Sequence, residues 1–496
     1  MKVRCDLKVG RIVNPSRSRG GIRMDGLTIR PTIMMLVLGL VLLASSVIAG
    51  DKRPNILFLL ADDQRADTIR ALAGNERIHT PNLDALVARG MSFSRATCSY
   101  PICWVSRSEI ITGTHGWENG TSDGGDFKPG LSYWGETFKQ AGYDTWWVGK
   151  WHVRTTPSKA GYSKVAGFYQ GGGMEWMKEQ TDWKGFPVTG YRGWVFQTED
   201  GKTKYPELGV GLTPDISAKF ADAAIGLLKG HSDKPWLMQV NFTAPHDPLF
   251  MPTGMEGKYK TEYMKLPENF LPEHPFDHGN FDSRDEALLA WPRTEHAVKD
   301  LLRMYYSVVD DLDSQVGRIL KAVEDSGQME NTIVIYSSDH GLAVGSHGLR
   351  GKQNMYEHTI NVPLIIAGKG IEPGSRSRAQ VYLRELYPTS CDLAGIKIPE
   401  GVTAKSFVDV LTEKTEKNNE DIFGYFTNSQ RMIRSDDNWK LIYYPVIDTW
   451  QLFDLNTDPW ETSNLAGMAE HQQRFESLKK RLQAWRKKQG DPLVLE

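Results

Sequence analysis

The chain has 496 residues, 40% of them hydrophobic and 24% charged, with a formal net charge of -2. That length exceeds the roughly 250–300 residues at which one hydrophobic core stops growing, so at least two structural units sharing a large interior are expected. The near-neutral balance gives no global field for nucleic acid or an anionic membrane, and any bound anion must be met by a few local cations.

At the start of the chain a basic stretch through Arg23 and Arg30 leads into an apolar run from Ile33 to Ile48, which closes on Val47-Ile48-Ala49. This reads as a signal peptide over residues 1–49, with Met24 as an alternative start, because the run is shorter than the ~20 residues a membrane span needs. The remainder is expected to be secreted or periplasmic, with no stable span. Beyond this segment only Cys98, Cys103 and Cys391 remain. An exported protein can carry a Cys98–Cys391 bridge, and Cys103 is then an odd thiol that calls for an explanation.

Further along, four apolar runs each end in polar residues: NILFLL in Asp62-Asp63, YDTWWVGK in Lys150 and His152, PWLMQVNFTAP in His246, and NTIVIYSS in Asp339-His340. Helical patterns lie between them, including PNLDALVARG, PDISAKFADAAIGLLKG and a long segment from Arg293 closed by Gly327. Strands alternating with helices predict a mixed or mostly parallel sheet covered on both faces. Ligands gather at the carboxyl ends of such strands, so the four polar termini are predicted to share one edge. A catalytic domain over residues 51–398 is expected. From about Pro399 the short runs EDIFGYF, QRMIRS and WKLIYYP, then a basic terminal helix, predict a smaller antiparallel subdomain over 399–496.

In CWVSRSEIITG, Cys103 stands just before a predicted helix start, with Ser106 as its cap and Glu109 completing a capping box. An anion near Cys103 would meet the positive end of the helix dipole, and Arg107 adds a guanidinium fork suited to oxyanions.

This segment resembles the formylglycine sulfatases of the alkaline-phosphatase superfamily. Their signature runs Cys or Ser, any residue, Pro or Ala, Ser, Arg, then a short helix ending Thr-Gly, usually followed by Arg. The chain keeps Cys103, Ser106, Arg107, Thr112 and Gly113, and departs at Val105 and Thr114. The resemblance, to iduronate-, choline- and aryl-sulfatase-like chains, runs from Lys52 to about Ala466 and includes LFDLNTDPWETSNLA.

The resemblance implies an alkaline-phosphatase-like mixed sheet sandwiched by helices, with a smaller C-terminal α+β subdomain. It implies that Cys103 is matured to formylglycine (3-oxoalanine) by a formylglycine-generating or anaerobic sulfatase-maturating enzyme. It further implies Ca²⁺, or Mg²⁺, held by Asp62, Asp63, Asp339, His340 and the matured Cys103; the oxygen ligands suit a hard cation, and the imidazole adds a nitrogen. Lys150, His152, His246 and Lys352 match family segments in order and type. In the chemistry this implies, one hydroxyl of the hydrated aldehyde attacks sulfur while the metal and Lys150 or Lys352 neutralise the nonbridging oxygens. His246 protonates the leaving alcohol, His152 serves as base for sulfate release, and Arg107 holds the hydrate.

Between His152 and Thr213 lies a stretch rich in Gly, Trp and Tyr. Its rings either stack on sugars, which favours a sulfated saccharide over a small sulfate ester, or pack a core of their own. NGT at Asn119 and NFT at Asn241 match the N-glycosylation pattern, the second in a predicted buried strand. Two other functions share these residues: a phosphate or phosphonate monoester hydrolase of the same superfamily, and a catalytically silent carbohydrate-binding homologue.

Overall fold

The four apolar runs fold as buried strands: β1 (Asn55–Ala61), β3 (Asp144–Lys150), β6 (Trp236–Asn241) and β7 (Thr332–Ser338). They lie side by side in the order β7-β1-β6-β3, and every neighbouring pair is parallel. Leu60 pairs with Asn241, Ala61 with Ser338, and Gly149 with Asn241. This register brings the residues after each strand to one level of one edge.

The computed structural model describes residues 52–493 except 123, 189, 231 and 232. The expected signal peptide and its Met24 start fall outside the described residues. No helix among the described residues is long and apolar enough to cross a membrane.

The sheet continues through β2 (Gly90–Thr97), β4 (Lys164–Gly171), β5 (Trp194–Phe196), β8 (Asn361–Ala367), β9 (Arg376–Ser377) and β10 (Val381–Tyr382) to ten strands. It is mixed because β8 runs antiparallel to both β7 and β2. Alternate residues of the central strands feed two cores. Leu57, Leu59, Trp146 and Val240 pack against the helices Ile216–Lys229 and Glu295–Asp325, while Ile56, Phe58, Leu60 and Ile335 pack with Trp134, Phe138 and Tyr387. Burying one such large side chain contributes about 1.5–3 kcal/mol, so the two layers hold the sheet and leave its polar edge free for other work.

Gly149 shows how closely that edge is packed. At φ +91°, a Cβ there would lie 2.1 Å from the Asn241 carbonyl oxygen, and the register with β4 shifts between Val148 and Lys150. Only glycine lets β3 approach β6 and still end on Lys150.

The C-terminal runs form a four-stranded antiparallel sheet of β11 (Asp421–Phe426), β12 (Gln430–Ser435), β13 (Trp439–Tyr444) and β14 (Thr449–Asp454). The helix Gln472–Gln489 covers it through Phe475, Leu478 and Leu482. From Arg53 onward the chain forms one compact unit, so the two sheets share it.

The structure bears on three points that the sequence leaves open. Cys98, Cys103 and Cys391 are all buried free thiols, and Cys98 Sγ faces the Tyr100 carbonyl at 3.1 Å in place of a second sulfur. Asn119 and Asn241 are both buried and hydrogen-bonded internally, so neither offers a glycan acceptor at the surface. The aromatic stretch divides: Trp194 and Phe196 extend the sheet, while Met174 and Phe186 are exposed.

Candidate active site

The helix Cys103–Thr112 begins on Cys103 itself, after Ile102 in an extended conformation. The predicted capping box does not form, because tertiary partners take both of its side chains. Ser106 Oγ donates to the Asp339 carbonyl at 2.7 Å, and Glu109 accepts from Gly116 N at 2.8 Å, from Arg384 at 3.1 Å and from Ser99. Both departures from the sulfatase signature are buried positions: Val105 packs with Met355 and Tyr356, and Thr114 shares a hydrogen bond with Thr112 at 2.8 Å.

Cys103 is 3% exposed and lies within reach of both far segments: its Sγ is 3.3 Å from His340 Nε2 and 3.5 Å from Lys352 Nζ. Burial, reinforced by Asp62, pushes the thiol pKa up, so an unmodified Cys103 stays protonated.

Three carboxylates with no exposure, Asp62, Asp63 and Asp339, surround it. Asp62 Oδ2 accepts from Lys150 Nζ at 2.6 Å and from the Tyr191 hydroxyl. Asp63, in the left-handed region at φ 71°, accepts from Lys352 Nζ at 2.8 and 3.0 Å. Asp339 accepts from Arg107 Nε at 2.9 Å through Oδ2 and from His340 N at 3.0 Å through Oδ1. Arg107 Nη1 donates to Asn241 Oδ1 at 2.9 Å, while Nη2 lies 3.6 Å from Asp62 Oδ1.

Burial raises both vicinal carboxyls, but they diverge. Lys150, Arg107 and Lys352 outweigh burial and hold Asp62 well below the usual range, whereas burial and the charges of Asp62 and Asp339 hold Asp63 well above it. Like charges this close resist joint ionisation unless a cation joins them.

The histidines are kept neutral. Burial, with Lys352 adding to it, depresses His246; burial and then Lys150 depress His152; burial pushes His340 down to about 4. His246 Nδ1 donates to the Asp247 carbonyl at 2.6 Å, which leaves Nε2 as the free nitrogen, 3.8 Å from Asp63 Oδ2. His152 stands beside Trp194, with its Nδ1 buried and unpartnered among the described residues.

A divalent cation fits this donor set. One ligand atom from each of Asp62, Asp63, Cys103 and His340 lies within 4.8 Å of the others, and Asp62 Oδ1 is buried with no hydrogen-bond partner among the described residues. An orphaned carboxylate oxygen among acidic neighbours is what a hard cation would satisfy. Asp339 is not one of the four; Arg107 and backbone amides occupy its oxygens.

All ten predicted site residues therefore reach one edge. Sequence reasoning missed Tyr191, which donates to Asp62 and packs 4.8 Å from the His246 ring, and Asn241, which was legible only as a glycosylation pattern. It also missed Asp247, which is paired with Arg350 at 3.3 Å and Arg284 at 3.5 Å.

The family model described as Sulfatase matches residues 54–396. The chain belongs to the sulfatase family. A second model, described as N-sulphoglucosamine sulphohydrolase, C-terminal, matches residues 345–488 of this sulfatase. The sulfatase is 27% identical over 459 residues to an arylsulfatase of Clostridium perfringens, covering 86% of this chain and 93% of the relative. It is 26% identical over 520 residues to an N-acetylglucosamine-6-O-sulfatase of Bacteroides thetaiotaomicron, covering 89% and 88%. A solved complex with the substrate D-glucosamine-2-N,6-O-disulfate superposes with a TM-score of 0.72 at 24% identity, covering 89% of this sulfatase and 99% of that chain. The phosphonate monoester hydrolase of Silicibacter pomeroyi gives 0.70 at 20% identity, with 88% and 96% covered. At these identities the solved structures establish the fold, while the family assigns the sulfatase to the sulfuric ester hydrolases.

Proposed function

We propose that this sulfatase hydrolyses sulfate monoesters of saccharides through Cys103 matured to formylglycine, beside a divalent cation, calcium foremost. The observation that carries this reading is the convergence of Cys103 Sγ, Asp62, Asp63 and His340, with an Asp62 oxygen left unpartnered. The saccharide part is supported by the N-acetylglucosamine-6-O-sulfatase relative and by the aromatic residues near the site.

Asp62, Asp63 and His340, with the side chain at position 103, would hold the cation, which supplies charge neutralisation to a sulfate oxygen when bound; Asp339 would orient Arg107 beside it. Formylglycine at position 103 supplies a hydrate with two hydroxyls, one to displace the alcohol and one to release sulfate, a second exit that a thiol lacks. Arg107, fixed by Asp339 and Asn241, keeps Nη2 without a hydrogen-bond partner among the described residues, 3.6 Å from Asp62 Oδ1, where it can hold the hydrate. Lys352, 3.5 Å from Sγ, and Lys150, on Asp62, bring ammonium groups to the nonbridging oxygens. His246, its Nδ1 tied to Asp247, offers Nε2 to carry the proton for the leaving alcohol, and His152 offers its free Nδ1 as base for sulfate release.

The test has two arms. Mass spectrometry of the Cys103 peptide after co-expression with a maturating enzyme should show the aldehyde, and Cys103→Ala should lower turnover of a sulfate ester by on the order of 10⁴-fold or more. A persistent thiol in an active enzyme would overturn the nucleophile. A large preference for the matched phosphate ester would overturn the substrate class, and binding of saccharides without any turnover would favour a silent homologue.

A further inference from the structure

Beside Cys103 opens a cleft of about 770 Å³, within the range of small-molecule sites, whose walls include Trp104, His152, Arg154, Lys159, Gln170 and Trp194. Of the candidate site residues His152 stands in its wall, and two of its tryptophans link it to the reacting position. Trp104 follows Cys103 in the helix, and Trp194 packs against both His152 and Tyr191, whose hydroxyl donates to Asp62.

The charge of this cleft is one-sided. Arg154 and Lys159 both line it, no carboxylate does, and neither cation forms an ion pair among the described residues. Many other exposed cations have an acidic partner, as Lys321 has Asp325 and Arg474 has Asp437. Arg154 rests instead over the Trp104 ring at 5.4 Å, a cation–π contact that orients the guanidinium without neutralising it. His152 contributes an unpartnered buried Nδ1 to the same wall.

We propose that this cleft is a subsite for a second anionic group of the saccharide, a carboxylate or a further sulfate, beyond the ester being cleaved. The inference rests on the proposed sulfatase reaction at Cys103 and names the substrate class it takes. Half-buried Trp104 and Trp194 present apolar faces to a sugar ring, and Arg154 and Lys159 present donors to an oxyanion, where charge-assisted hydrogen bonds are strongest. The same two cations disfavour an alcohol that carries a quaternary ammonium, since uncompensated like charges repel.

The experiment compares the full matured enzyme with Arg154→Ala/Lys159→Ala on N-acetylglucosamine 6-sulfate, on glucosamine 2-N,6-O-disulfate and on a 6-sulfated disaccharide bearing a uronate. The readout is the ratio of kcat/KM between dianionic and monoanionic saccharides. Loss of charge-assisted contacts should collapse a preference of roughly ten- to hundredfold to near unity, with Arg154→Lys retaining part of it. Comparison of the second and third saccharides tells sulfate from carboxylate. Calorimetric binding of the same saccharides to Cys103→Ala, with and without the two alanine substitutions, reads the subsite separately from the chemistry. Equal ratios in both proteins, with turnover intact, would overturn the subsite and leave the sulfatase reading standing. Charge-dependent binding lost in the double variant, with no sulfate ester cleaved by the enzyme, would sustain the subsite and overturn the sulfatase reading.

Discussion

Two buried charge clusters in this molecule are made of similar residues and finished differently. In one, Glu357 pairs with Arg434 at 2.6 Å and with Lys440 at 3.0 Å, Lys440 pairs with Glu461 at 2.6 Å, and Glu461 accepts from Glu357 N at 2.7 Å. This cluster ties β12 and β13 to the segment before β8, and all of its charged atoms have protein partners. Around Cys103, by contrast, Asp62 Oδ1, Arg107 Nη2, Asn241 Nδ2 and His152 Nδ1 are buried and make no hydrogen bond among the described residues, Asp62 Oδ1 and Arg107 Nη2 facing each other only at 3.6 Å. The first cluster is complete as folded; the second keeps valences for groups the chain does not supply. Unfinished satisfaction, more than buried charge, separates a working site from a structural joint.

Asp62→Asn tests the contrast most severely. It should lower turnover by roughly 10³-fold or more and, because buried Lys150 and Arg107 lose their anionic partner, also lower metal-free stability by a few kcal/mol. Added calcium should raise the midpoint of the wild type and not of this variant. A variant whose midpoint rises with calcium as the wild type's does would erase the distinction.

Lys440→Met is the mirror experiment. Stranding Glu461, and leaving Glu357 with Arg434 alone, should cost about 3–5 kcal/mol in denaturant unfolding, with turnover per folded molecule within about twofold of wild type. Tyr191→Phe removes one donor to a charged group, a loss of about 1.5–3 kcal/mol, and should lower kcat roughly ten- to hundredfold with the fold retained.

The smallest effect per step is the pH response of a third set of buried groups. Burial pushes His274 down to about 4, and His278 and His347 to about 3, so the folded protein holds them neutral where the unfolded chain, near pKa 6.5, takes up protons. Stability is therefore whole above pH ~6.5 and declines toward pH ~4, by up to about 1.4 kcal/mol per pH unit for each histidine. Replacing His278 with Gln should flatten the midpoint-versus-pH curve across that window; an unchanged slope would show that other groups set it.

Much of this was legible in the sequence because strand ends carry their chemistry next to their hydrophobicity. NILFLL followed by two aspartates, and NTIVIYSS followed by Asp339-His340, announce both the sheet and its polar edge. What was illegible depends on partners distant in the chain. Tyr191 sits in a glycine-rich stretch at φ 58°, and only the fold carries its hydroxyl to Asp62. Asn241 belongs to a sequon whose strand position buries it against Arg107. The Ser106/Glu109 pair has the local form of a cap, yet Asp339, Ser99, Gly116 and Arg384 bind those side chains across the fold.

The burial of Cys103 also fixes an order in time. At 3% exposure, with its thiol held protonated and covered by His340 and Lys352 from the far end of the sequence, it does not meet the active site of another enzyme once those segments have docked. Under the proposed maturation, chemistry on that side chain by a second protein would come first and folding afterwards. On that proposal, a chain that closed too early would keep its sulfur, and folding would be the step that seals the loss.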